Sequence, residues 1–240
     1  MRLIKLKHSY SIFNSLQSFF DIFMIIFNNI MILLSIMRLE KILIVFCLFV
    51  IFIVACTSID KINTADSCII FKEKKNWYKS TKNSYDKWGV PIALQLAIIN
   101  QESSFNQFAK PKRKKLFGLI PGGRESTAFG YAQVTNPTWD WYKTRTGNSN
   151  ASRANFKDIT DFIGWYVNQS NKMIGISKND YYNQYLAYHE GQGGWKKKTY
   201  NSKKWLLNVA KKVENNANMY KIQLISCEKN LNKKGLFGLF

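Results

Sequence analysis

Several kinds of chemistry are scarce in this chain of 240 residues. It holds two histidines and four cysteines, and no C-x-x-C pair, so nothing in it resembles a metal site. It has no internal repeat and no run of alternating apolar and polar segments, which excludes repeat arrays and sheet-based folds. Acids are few: 15 Asp and Glu stand against 35 Lys and Arg, a formal net charge of +20. Most of that excess lies beyond residue 56 and so belongs to the folded part. A field of this sign attracts polyanions, whether nucleic acid, lipid headgroups or wall polymer. Long apolar runs are scarce too. Ile12–Ile36 is interrupted by Asn14, Asp21, Asn28 and Asn29. Ile42–Ala55 is unbroken but falls short of the roughly 20 residues a membrane-spanning helix needs.

Apolar residues make up 46% of the chain and aromatics 15%, enough for a core and too much for disorder. One folded domain plus an N-terminal targeting segment is expected for this length. From Met37 the sequence runs through Arg38 and Lys41, then the apolar stretch, then Ile53-Val54-Ala55-Cys56. A basic start, an apolar middle and a small residue at the end make an export signal. Its end resembles a bacterial lipobox, with Ile53 where Leu is usual and Cys56 as the lipid-bearing residue. A plain membrane anchor with an incidental cysteine is the alternative. Residues 1–36 read either as upstream extension or as an extra hydrophobic segment. Thr57, in place of Asp, favours the outer membrane by resemblance to Gram-negative lipoproteins. The expected location is the cell envelope, lipid-anchored and facing the periplasm. An exported chain with no nucleic-acid-binding motif is not expected to bind nucleic acid. Export also places Cys68 and Cys227, one near each end of the domain, in an oxidising compartment, where they are expected to form a disulfide, with two free thiols as the alternative.

Along the rest of the chain, residues 56–67 read as a tether, 68–228 as the domain and 229–240 as a tail. A helical pattern begins near Ile69 and includes Trp77. Pro91 opens a second helix that is apolar nearly all round, hence buried, and runs into Asn100-Gln101-Glu102-Ser103-Ser104-Phe105. Lys110–Lys115 is a basic run followed by the turn signal Pro121-Gly122-Gly123, so residues 109–128 form an exposed loop or short hairpin. Asn136-Pro137 reads as a cap and first turn, stopped by Gly147. Further helices are expected over about 158–173, 180–190 and 202–224. The fold class is mainly α with a small β or irregular insert.

Glu102 draws attention because it ends a buried helix. Poor solvation there favours the neutral carboxyl and raises its pKa, which suits an acid that must hold a proton near neutral pH. Alone, a Glu at a helix end is more often a surface group paired with a lysine.

Two further segments change the weighting. Glu102-Ser103-Ser104-Phe105 is followed by Gly130-Tyr131-Ala132-Gln133 and then by Ala187-Tyr188-His189-Glu190-Gly191. In this order and spacing they resemble the three motifs of the SLT-type lytic transglycosylases, of the lysozyme-like superfamily, in a branch found as lipoproteins. The resemblance implies an α+β lysozyme-like fold, glycan strands of peptidoglycan as substrate and no cofactor. It implies that Glu102 is the catalytic acid/base and that Ser103 supports it. Gly130, Tyr131 and Gln133 would line the cleft, and Tyr188 would hydrogen-bond Glu102. His189 and Glu190 depart from the usual Asn and Ala, which raises the question of a second carboxylate.

The family's reaction uses one carboxylate and yields 1,6-anhydro ends on N-acetylmuramic acid. Most glycosidases use two, and Glu190, Glu125 and Asp140 are the candidates for a second. A muramidase on the same fold and a non-catalytic glycan-binding lipoprotein are the alternatives. Phe129, Tyr131, Trp139, Trp141 and Trp195 are candidates for stacking on sugar rings, with core packing as the competing role.

Overall fold

The computed structural model describes residues 63–116 and 120–233, with residues 24–26, 29 and 46 upstream. Segment 37–55, Cys56 and residues 234–240 therefore lie outside the described residues, apart from residue 46. The chain divides into two units, Met1–Lys61 and Ile62–Phe240, and the second holds the folded domain. Among the described residues no helix is long and apolar enough to cross a membrane.

The fold is mainly α. Among the described residues of the second unit, seven helices run in order: α1 Ser67–Glu73, α2 Lys75–Trp88, α3 Ile92–Ser103, α4 Asn136–Thr146, α5 Phe156–Ile174, α6 Tyr181–Lys196 and α7 Lys204–Lys233. Between α3 and α4 lies an antiparallel hairpin, β1 Arg113–Leu116 and β2 Ile120–Arg124. The hairpin is the small β insert expected there, and its first strand carries Arg113, Lys114 and Lys115 of the basic run.

The local signals are ordinary ones. Asp66 caps α1 by accepting from the Cys68 and Ile69 amides at 2.7 and 3.1 Å, and Asn155 caps α5 in the same way. Gly89, Gly147 and Gly175 end α2, α4 and α5 in the left-handed conformation. The cap of α4 is Thr135 rather than the expected Asn136. The Thr135 carbonyl already accepts from the Trp139 amide, so the first turn opens one residue earlier.

Helix α3 is the axis of the domain. Every residue from Ile92 to Ile99 is buried, because α2, α5 and α7 pack around it. Gln95 is the polar member of that run. Its amide nitrogen donates to the carbonyls of Thr81 and Val90 and ties α3 back to α2, while its buried Oε1 has no partner among the described residues. Helix α2 lies close along α5 because Gly164 has no side chain. A Cβ there would come within 2.3 Å of Ser84 Oγ and 2.6 Å of the Trp88 ring. Ser84 uses that room to donate to the Thr160 carbonyl at 2.6 Å.

Helix α7 supplies Leu206, Ala210, Val213, Ala217, Tyr220 and Leu224 to the core at helical spacing. It runs well past the expected end at Leu224. Cys227 is joined to Cys68 of α1 by a disulfide with a Cα–Cα separation of 6.0 Å. Tyr78 OH donates to Glu228 and to Asn232 at 3.2 and 2.7 Å. These contacts hold two further turns, so residues 229–233 of the expected tail are helical. The expected tether is also shorter. Ser67 begins α1, Tyr220 OH donates to the Thr64 carbonyl, and Gln223 Nε2 donates to the Ala65 carbonyl at 3.1 Å.

Candidate active site

Glu102 lies in the last turn of α3, with Ser104 as the cap. Two consecutive residues without glycine's freedom, Ser104 and Phe105, sit at φ 50° and 62°. Side-chain-bearing residues rarely adopt that region, and when they do the fold must hold them there. The Ser104 amide donates to the Asn100 carbonyl, and Phe105 is buried against the Trp77 ring at 5.5 Å. Trp77 in turn stacks on Phe156 at 3.9 Å, and Tyr131 meets both rings edge-on. This aromatic pile fixes the sharp turn after Glu102.

The second motif is clamped to that turn. The Gly130 amide donates to the Ala109 carbonyl at 2.9 Å, and Gln133 Nε2 donates to the same carbonyl at 2.9 Å and to the Gly130 carbonyl at 3.0 Å. Gly130 must be glycine: its φ is 78°, and a Cβ would lie 2.1 Å from the Arg153 carbonyl oxygen. Phe129 and Val134 bridge across the base of the loop.

The third motif joins the other two, with one correction to the expected roles. Tyr188 does not bond Glu102; its hydroxyl donates to the Ala132 carbonyl at 2.6 Å. Tyr185, one helical turn earlier, donates to Glu102 Oε1 at 2.8 Å. Motif matching points into segment 187–191 and so passes over Tyr185. The signal that could have found it is the spacing Tyr181, Tyr185, Tyr188, which places three tyrosines on one face of α6. Gly191 then breaks the helix at φ 73° and ψ 162°, and α6 resumes beyond it to Lys196 rather than stopping at residue 190.

Burial is the leading influence on the Glu102 carboxyl. It pushes the pKa up to about 7, against the smaller lowering effect of the Tyr185 hydrogen bond. The side chain is partly open to solvent, but dense protein surrounds it, and among the described residues no cation pairs with it. Burial likewise raises Tyr185, Tyr188 and Tyr166, the last to about 12, so all three stay neutral around the acid.

The candidates for a second carboxylate are engaged elsewhere. Burial disfavours the Glu190 charge, but hydrogen bonds from Lys203, Thr199 and His189 outweigh it and hold the carboxyl down at about 2. Lys203 Nζ lies 2.7 and 2.8 Å from its two oxygens. Asp140 is exposed and pairs with Lys143 at 3.1 Å, and Glu125 is exposed with Lys114 at 3.9 Å.

The other expected residues divide. Ser103 Oγ donates to the Ile99 carbonyl at 3.3 Å and completes the helix end. Tyr131 and Trp139 are core residues, each 6% exposed, and are not available to stack on sugar. Trp141 packs on Trp165 at 4.6 Å, and Trp195 Nε1 donates to Asn183 Oδ1 at 3.2 Å. Phe129 lies under Lys110 and Arg153, 5.5 and 5.4 Å from its ring. A hollow of about 500 Å³ between α2 and the α4–α5 loop shares no residue with the three motifs. Its floor is Asp161, which accepts from Lys87, Tyr142 and Asn148. Among the described residues no group of His, Cys, Asp or Glu side chains is placed to hold a metal ion.

The domain sets one glutamic acid at the end of its central helix, hydrogen-bonded by a tyrosine of α6. The family described as Transglycosylase SLT domain matches residues 44–227, and the chain belongs to it. It is accordingly an enzyme, a lyase of the peptidoglycan lytic transglycosylase type. No curated protein and no solved structure matches the chain.

Proposed function

We propose that the enzyme cleaves the bond between N-acetylmuramic acid and N-acetylglucosamine, leaving 1,6-anhydro ends, with Glu102 as its single acid/base. The observation that carries this reading is an enclosed carboxyl, raised to about 7, that is hydrogen-bonded by the neutral Tyr185. In the first half-reaction the Glu102 proton passes to the bridging oxygen as the C1–O bond breaks. The departing strand leaves as an alcohol, and the substrate's own acetamido group stabilises the cationic carbon. In the second half-reaction the Glu102 carboxylate takes the proton of the 6-hydroxyl while that oxygen bonds to C1. The Glu is reset, one glycosidic bond is exchanged for an internal C1–O6 acetal bridge, and no water enters. Tyr185 steadies the carboxylate between the halves. The decisive measurement is mass spectrometry of the ends released from purified peptidoglycan by the full chain. Anhydro ends are expected; reducing ends only would make the enzyme a hydrolase.

The same reading puts the protein in the cell envelope, tethered through a lipid on Cys56 after removal of segment 37–55 and facing the periplasm from the outer membrane. It rests on the basic, apolar and small-residue succession ahead of Cys56. Cys56→Ser is expected to release the protein from membrane fractions or to stall its processing. Unchanged mass and membrane association would overturn the anchor.

A further inference from the structure

The third motif departs from the family pattern at His189 and Glu190, and there the surface of the domain is unusual. All seven tryptophans fall within the described residues, and Trp205 alone is exposed, at 55%. Its ring stands 5.2 Å from that of His189, edge to face. Among the described residues nothing accepts a hydrogen bond from its indole N–H. An indole left this open costs apolar burial, and the surrounding contacts hold it in place.

Those contacts run through Glu190. Its carboxylate, 5% exposed, accepts from Lys203 at 2.7 Å, from Thr199, and from His189 Nδ1 at 3.0 Å. Lys203 and Thr199 belong to the segment that leads into Trp205. Gly194 lets this segment close over the helix end, since a Cβ there would sit 3.0 Å from Glu190 Cβ. An ionised carboxylate facing Nδ1 requires a proton on Nδ1, which leaves Nε2 as the ring nitrogen open to a ligand hydroxyl. Among the described residues no donor reaches Nε2.

The location gives the pair its meaning. His189 follows Tyr185 by four residues on α6, so it lies on the same face about 6 Å further along the helix. Tyr185 holds Glu102. The His189–Trp205 pair thus stands one turn beyond the acid.

We propose that His189 and Trp205 form a saccharide-binding ledge, which takes the apolar face of an N-acetylhexosamine ring on the indole and a ring hydroxyl on His189 Nε2. The ledge rests on the glycan-cleaving function proposed above and extends it to a substrate subsite. Glu190 acts there as a positioning residue. It fixes the imidazole and anchors the segment carrying Trp205, and it does not touch substrate.

The test uses the full chain carrying Glu102→Gln, so that glycan stays uncut, with a β-1,4-linked N-acetylglucosamine hexamer as the probe in calorimetry. Adding Trp205→Ala is expected to weaken binding about tenfold or more, and His189→Ala about threefold. Trp205→Phe is expected to recover most of the loss. With Glu102 intact, Trp205→Ala is expected to raise KM for peptidoglycan by a similar factor while kcat stays within about twofold. A second measurement needs no variant at Trp205: bound hexamer is expected to protect it from oxidation by N-bromosuccinimide, read by peptide mapping. Unchanged affinity and KM in Trp205→Ala, or oxidation of Trp205 at the same rate with and without hexamer, overturns the ledge while leaving the enzyme's function intact. A full chain that neither cuts peptidoglycan nor binds the hexamer overturns both.

Discussion

Glu102 ends α3 and Glu190 precedes the break in α6 at Gly191, and the two carboxyls ionise at opposite extremes. Glu102 is raised to about 7, and Glu190 is held at about 2. Burial acts in the same direction on both. The difference lies in the donors. Glu102 receives a hydrogen bond from a neutral phenol, whereas Glu190 receives a lysine ammonium on both oxygens, a threonine hydroxyl and an imidazole N–H. Enclosure without a cation leaves a carboxyl that holds its proton near neutral pH, and enclosure with one makes an ionised anchor. In the single-acid mechanism proposed above, neither His189 nor Glu190 serves as a second acid. They form a hydrogen-bonded ion cluster with Lys203 and Thr199 beside the break in α6 at Gly191.

The comparison breaks first at Glu102. Glu102→Gln keeps the shape and removes the proton on which both half-reactions of the proposed mechanism depend. Acid/base catalysis by a placed group is worth about 10²–10⁴-fold, and with no second acid to substitute the loss of anhydro-muropeptide release is expected at the upper end. The same variant has a stability signature. A carboxyl whose folded pKa lies above its unfolded value binds its proton more tightly when folded, so wild-type stability falls as pH rises from about 4.5 to about 7. Glu102→Gln escapes that cost and is expected to be more stable at pH 8, by about 1–3 kcal/mol, with the gap closing near pH 4. Thermal melting across pH decides it. A variant less stable than wild type at pH 8 would contradict the desolvated acid. In wild type, kcat/KM is expected to be level below about pH 7 and to fall above it as the proton is lost.

Tyr185 and Tyr188 sharpen the comparison at a smaller scale. Tyr185→Phe removes the hydrogen bond that lowers the Glu102 pKa, so the basic limb of the pH profile is expected to move upward. A rate loss of about tenfold follows if the bond stabilises the carboxylate between half-reactions by about 1.5 kcal/mol. Tyr188→Phe removes a bond to the Ala132 carbonyl. It is expected to cost stability and to leave the position of the limb unchanged. A limb that moves in Tyr188→Phe and not in Tyr185→Phe would reverse the roles of the two tyrosines.

Much of the domain is legible in its sequence, and the reasons differ by element. The wholly apolar stretch Ile92–Ile99 could only be a buried helix, and α3 is one. The three motifs announce which segments meet, and the structure clamps them together through Ala109, Ala132 and Glu102. The partner of Glu102 is not legible from the motifs, because residues 185 and 188 share a helix face and spacing alone does not say which hydroxyl reaches across. The length of α7 is hidden for a related reason. Its last turns are held by a disulfide and by Tyr78, contacts more than 140 residues away in sequence that leave no local periodicity. The aromatic candidates fail for want of a burial signal: Tyr131 and Trp139 are as apolar as a sugar platform and as apolar as a core, and the core takes them. Trp205, the exposed one, falls in the sequence on the same helical spacing as core residues of α7, which hides its exposure.

The smallest effect on catalysis is expected at Glu190, and there the contrast with Glu102 can be tested by sign. Its folded pKa, at about 2, lies below the unfolded value near 4.5. It therefore contributes stability that is present above about pH 4.5 and is lost as pH falls toward about 2, opposite in sense to Glu102. Glu190→Gln should remove that contribution. Taking one partner from a buried ion pair costs about 3–5 kcal/mol, but the Lys203 side chain is 38% exposed and can turn to water. A loss of about 1–2 kcal/mol at pH 7 is the reasonable expectation after that discount. The difference from wild type should shrink between about pH 5 and pH 2, while that of Glu102→Gln opens between about pH 4.5 and pH 7. Activity should fall through KM, by less than about tenfold, because the variant loosens His189 and the segment carrying Trp205 and leaves the proton carrier untouched. Denaturant melts of both variants over this range, set beside their kinetics, provide the check. A Glu190→Gln enzyme that folds as well as wild type and loses kcat by about a hundredfold or more would make Glu190 a catalytic carboxylate and end the single-acid mechanism.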